Sequence, residues 1–80
     1  MKPLLYVKKG CPWCREAADY LDQRKIEYTK IEVRGDAVQM QKLKDISGQA
    51  KTPTLYWDGT VLANFGIEEL EPFLQKQAAS

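Results

Sequence analysis

The tetrapeptide Cys11-Pro12-Trp13-Cys14 holds both cysteines of the chain and sits where an apolar run meets an amphipathic one. Ahead of it, Pro3-Leu4-Leu5-Tyr6-Val7 is rich in strand formers, and Lys8-Lys9-Gly10 breaks the run. Behind it, Cys14, Ala17, Ala18 and Leu21 fall at i, i+3, i+4 and i+7, with Arg15, Glu16, Asp19 and Asp22 on the other face. That spacing predicts a helix with one buried side. Pro12 suits the first helical position, where its fixed φ fits and its missing N–H is no loss, so Cys11 becomes the N-cap. The two sulfurs are thereby expected at a strand-to-helix turn.

Such a pair is poorly placed as a staple. Closing so short a loop restricts the unfolded chain by only about 2 kcal/mol, against about 4.7 kcal/mol for a loop of a hundred residues. Zinc within one chain is excluded as well, because a closed site needs four Cys or His ligands and the sequence has two Cys and no His. The pair is best explained by cycling between dithiol and disulfide. Converging N–H groups at the helix start favour a thiolate on Cys11, and Lys8 and Lys9 add positive field. Cys11 is thus the expected nucleophile. Cys14, one turn further along the buried face, is the expected resolving cysteine. Trp13, between two reactive sulfurs, is expected to be exposed and to support a substrate.

The remaining chain supplies three further strands and two helices. Glu27 to Val33 alternates as a strand. Asp36 is a plausible N-cap for a helix carrying Ala37, Met40, Leu43 and Ile46, closed by Ser47-Gly48. Thr54-Leu55-Tyr56-Trp57 and Thr60-Val61-Leu62-Ala63 flank Asp58-Gly59, a strong hairpin signal. Ile67, Leu70 and Leu74, widened by Phe73, mark a last helix in which Pro72 implies either a late start or a kink. The tail from Gln77 to Ser80 is expected to fray.

These elements imply an α/β fold: a four-stranded mixed sheet with three helices distributed over both faces, in one domain spanning residues 1–80. Strands one and two, joined by a helix, should be parallel. A chain of 80 residues leaves no room for a second core. Twelve Lys and Arg against 11 Asp and Glu give a net charge of +1, so nucleic acid is not the expected partner. The apolar stretch Leu4 to Val7 is too short for a signal peptide or a membrane span, and the reading is of a cytoplasmic, soluble protein.

The run from Tyr6 to Cys14, taken with Ser47-Gly48-Gln49-Ala50-Lys51-Thr52-Pro53, resembles the glutaredoxins, and the likeness extends from Leu4 to about Leu74. The resemblance implies the thioredoxin-like fold of that family. It also implies a glutathione-dependent thiol–disulfide oxidoreductase acting on protein disulfides and glutathione mixed disulfides. Glutathione would be the co-substrate, with no metal, and disulfide-bearing client proteins would be the partners of a monomer. Site by site, it implies a cis Pro53 facing Cys11 and a Thr52 backbone that pairs with the cysteinyl part of glutathione. Lys8 would meet the glycine carboxylate, with Lys51 a neighbouring candidate, and Trp13 stands where the family usually has tyrosine. The N–H groups of Phe65 and Gly66 would receive the γ-glutamyl carboxylate.

Three departures from the family pattern matter. Lys51-Thr52-Pro53 replaces the common Thr-Val-Pro, so only the backbone role of Thr52 carries over. Ala63-Asn64-Phe65-Gly66 replaces a Gly-Gly-x-Asp turn and lacks its aspartate, leaving Glu68 or Glu69 as the nearest acids. Met40, between Gln39 and Gln41, stands in place of a glutamine of the second helix. Two alternatives therefore accompany the main expectation. One is a redoxin fed by a thioredoxin-type reductase. The other is an iron–sulfur carrier in which Cys11 of two chains and two glutathiones hold a cluster, an arrangement that the rigid Pro12 disfavours.

Overall fold

The computed structural model describes residues 2–79. Strands β1 (Leu4–Val7), β2 (Thr29–Glu32), β3 (Thr54–Trp57) and β4 (Thr60–Ala63) alternate with helices α1 (Pro12–Gln23), α2 (Ala37–Ser47) and α3 (Ile67–Ala79) in the expected order. The sheet runs β2-β1-β3-β4. β1 pairs parallel with β2, while β1 with β3 and β3 with β4 are antiparallel.

Alternation along the central strands sends successive side chains to opposite faces. On one face Leu5, Val7 and Leu55 pack with Cys14, Ala17, Ala18 and Leu21 of α1, with Phe65, and with Leu70 and Leu74 of α3. On the other, Tyr6 and Val33 pack with Leu43 of α2. Leu5 lies opposite Leu55 in the β1–β3 register, and both are fully buried. This places the start of α1 just beyond the end of the central strand β1.

Local signals account for several boundaries. At the hairpin Asp58 has φ 50° and Gly59 φ 83°, the two left-handed residues of a type I′ turn, whose twist matches the strands it joins. α2 is capped at its start by Asp36, whose carboxylate accepts the Gln39 N–H at 3.1 Å, and ends on Gly48 at φ 72°.

Four expectations are corrected. β2 is shorter than Glu27 to Val33 because β1 offers it only the ladder from Leu4 to Val7. On α2, Leu43 is buried and Met40 and Ile46 are half-buried, but Ala37 is exposed. A spacing of three falls short of the turn of 3.6 residues, so the stripe winds away from the sheet. α3 does not start late: it begins at Ile67 and contains Pro72. Pro72 and Glu68, whose carbonyl loses its partner, are both exposed, so water can satisfy that carbonyl. The helix also continues to Ala79 where fraying from Gln77 was expected, and Ser80 lies outside the described residues. Among the described residues no helix is long and apolar enough to cross a membrane.

Candidate functional site

Cys11 is the N-cap of α1, with φ −95° and ψ 111°, and Pro12 occupies the first turn as the sequence requires. The sulfur accepts the backbone N–H of Cys14 at 3.2 Å, one of the donors that a helix start leaves without an internal partner. From across the fold, Thr52 brings its hydroxyl to 3.9 Å and its carbonyl oxygen to 4.0 Å from the same sulfur. The Thr52–Pro53 peptide is cis, as the resemblance implied.

Both cysteines are free, Cys11 half-buried and Cys14 buried. Burial alone would push the Cys11 thiol up. Hydrogen bonds from the Cys14 thiol and N–H, the Thr52 hydroxyl and the Trp13 backbone outweigh it and leave Cys11 below the ordinary cysteine value. Burial, reinforced by the hydrogen bond it gives to Cys11, pushes Cys14 the other way, above the ordinary value. At a pH between the two, the chain carries one thiolate at the helix start and one thiol behind it.

The other residues singled out in the sequence are distributed unevenly. Trp13 is 54% exposed beside the pair. The Lys8 carbonyl accepts the Cys11 N–H at 3.1 Å, and Lys8 borders a groove of about 710 Å³ that also includes Cys11, Arg15 and Lys30. This groove opens toward β2 and does not include Thr52, Pro53, Phe65 or Gly66. Lys51 is exposed on the loop ahead of Thr52. Phe65 is buried in the core, so its side chain is unavailable to a ligand. The Gly66 N–H is already engaged, donating to the Glu69 carboxylate at 3.3 Å. The start of α3 is nonetheless tied to the site, because the Asn64 N–H donates to the Pro53 carbonyl at 2.8 Å.

A profile of the glutaredoxin family matches residues 4–62. The chain belongs to that family. Among glutaredoxin relatives it is 25% identical over 72 residues to an uncharacterized glutaredoxin-like 8.6 kDa protein in the rubredoxin operon of Clostridium pasteurianum, covering 90% of this chain and 96% of the relative. It is 31% identical to the thioredoxin-like protein BC3987, whose crystal structure superimposes with a TM-score of 0.81 over 89% of this chain and 97% of that one. The glutaredoxin grx-1 of Archaeoglobus fulgidus, at 18% identity, has the same fold, with a TM-score of 0.81 over 91% of this chain and 85% of its own. The fold of this glutaredoxin is therefore thioredoxin-like.

One feature of the site was missed in the sequence. Gln49, in the loop between α2 and β3, donates from Nε2 to Ser47 and Thr54 and accepts the Lys51 N–H on Oε1. A polar amide between a glycine helix cap and Thr-Pro was the available signal.

Proposed function

We propose that this chain is a thiol–disulfide oxidoreductase in which the Cys11 thiolate attacks disulfides and glutathione supplies the electrons. The observation that carries this reading is the pairing of Cys11, held by the Cys14 N–H and the Thr52 hydroxyl, with a buried Cys14 one turn behind it. Attack forms a bond from the Cys11 sulfur to one substrate sulfur and breaks the substrate S–S bond, and the leaving thiolate takes up a proton. The mixed disulfide resolves by one of two routes. Either Cys14 loses its proton and attacks the Cys11 sulfur, leaving a Cys11–Cys14 disulfide, or an external glutathione thiolate attacks and restores Cys11 directly. In the first route two glutathiones are oxidised to return the pair to the dithiol.

Exposed Trp13 and the Thr52 backbone are the surfaces offered to the incoming disulfide, whether of a client protein or of glutathione. Lys8, which borders the groove that includes Cys11, is the cation assigned to a glycine carboxylate.

One observation favours a second reading, a redoxin fed by a thioredoxin-type reductase. The Gly66 N–H, which a γ-glutamyl carboxylate would use, is occupied by Glu69. The deciding experiment is intact mass of Cys14→Ser after oxidised glutathione, together with turnover of a small glutathione mixed disulfide by the wild type. A single adduct on Cys11 with turnover supports glutathione as donor. An adduct-free protein without turnover supports the reductase-fed reading.

A further inference from the structure

We infer that Gln49 is the positioning residue of the loop facing the nucleophile: its carboxamide fastens Ser47, Lys51 and Thr54 to one another and so holds Thr52 against the Cys11 sulfur. This rests on the reading of Cys11 as the nucleophile.

The geometry assigns every atom of the amide. A backbone N–H only donates, so the group facing the Lys51 N–H must be Oε1, which leaves Nε2 for the two hydroxyls. Nε2 lies 2.8 Å from Ser47 Oγ and 3.2 Å from Thr54 Oγ1. Both hydroxyls accept from it and keep their own protons for carbonyls, Ser47 for Leu43 at 2.6 Å and Thr54 for Lys51 at 2.8 Å. The network has no conflicting donors and one consistent direction.

Its placement is what gives it a role. Ser47 ends α2, Thr54 begins β3 and is fully buried, and Lys51 stands in the loop between them. One side chain thus joins the two fixed ends of the loop to its middle. Thr52 is bracketed by Lys51 and Thr54, the two residues gripped. Without the amide, the segment from 49 to 52 would keep only the hydroxyl bonds from Thr54 to the Lys51 carbonyl and from Ser47 to the Gln49 carbonyl, and the long contact from Thr52 to the sulfur is the one most sensitive to small displacement.

The test is the pH dependence of iodoacetamide alkylation of the reduced full-length protein, with the labelled residue identified by peptide mass. Gln49→Met keeps the volume and removes all three bonds; Gln49→Ala is read alongside it in case the longer side chain misfolds. Loss of a weak hydrogen bond to the thiolate moves the midpoint of the Cys11 alkylation profile to higher pH, read as roughly threefold to tenfold slower alkylation on the limb below that midpoint. Added to Thr52→Val, either variant should slow the reaction little further, since the bond it positions is already gone. A Cys11 profile superimposable on the wild type, with or without a lower melting temperature, overturns the role of Gln49 alone. Labelling of Cys14 in place of Cys11 in the wild type overturns the site reading, and this inference with it.

Discussion

The Thr52 hydroxyl lies 3.9 Å from the Cys11 sulfur although 41 residues separate them in sequence. A donor at that position stabilises the thiolate form more than the thiol, and Thr52→Val removes the donor while keeping the shape. The expected result is a Cys11 alkylation rate lower by roughly threefold to tenfold on the limb of the pH profile below its midpoint, the equivalent of about one net hydrogen bond. An unchanged rate would leave the helix start as the only significant support for the thiolate.

The different depths of the two sulfurs predict different consequences of replacing them. Cys11→Ser should abolish all thiol–disulfide exchange. Cys14→Ser should lose reduction of protein disulfides yet retain turnover of glutathione mixed disulfides, because an external thiol can replace the resolving step. Equal loss in the two variants, in assays with a small mixed disulfide, would contradict this division.

The two thiols also oppose each other in their effect on stability. Cys11 ionises at lower pH folded than unfolded, so its contribution is present above the unfolded value and is lost as pH falls through the folded one. Cys14, shifted up, has the reverse sign: its contribution holds below the unfolded value and is lost as pH rises through the folded one. In reducing buffer the melting temperature of the wild type relative to Cys11→Ser should therefore increase as pH rises from acid toward the ordinary cysteine range. A difference that is flat across that window would argue against a stabilised thiolate.

At the start of α3 the Glu69 carboxylate occupies the Gly66 N–H. Glu69→Gln removes a negative charge from the place where a ligand carboxylate would bind. A charge at a helix N-terminus is worth about 0.3–1 kcal/mol, so KM for a glutathione mixed disulfide should fall by roughly twofold to fivefold with little change in kcat. A rise in KM would indicate that Glu69 itself contacts the substrate, in the manner of the missing aspartate.

Leu55 sits opposite Leu5 between β3 and β1, and neither is exposed. Leu55→Ala leaves a cavity under α1 and α3 and should cost about 2–5 kcal/mol in chemical denaturation. A loss well below that range would mean that the sheet collapses into the space.

Much of this was legible because the signals are local. Pro12 after Cys11 marks the helix start, and Asp58-Gly59 marks the hairpin, each through the backbone angles of the residues involved. The apolar face of α1 was legible for the same reason: Cys14, Ala17, Ala18 and Leu21 keep helical spacing and all are buried. What depends on a distant partner was not legible. The end of β2 is set by the length of β1, and the exposure of Ala37 by where the sheet stops supporting α2. Gln49 carries only a faint signal, a polar amide between a glycine cap and Thr-Pro, and Glu69 is told from Glu68 only by its bond to the Gly66 N–H. Their roles appear only when a loop and a helix start are brought to the same end of the sheet.

The bond from the Asn64 N–H to the Pro53 carbonyl fastens the loop beside the nucleophile to the loop that opens α3. The loop that opens α3 and the loop that holds Thr52 at the Cys11 sulfur are thus mechanically one piece. A substitution that reshapes recognition near residue 64 reaches Thr52 through a single peptide. If the proposed function holds, a change of clientele would carry a change of reactivity with it.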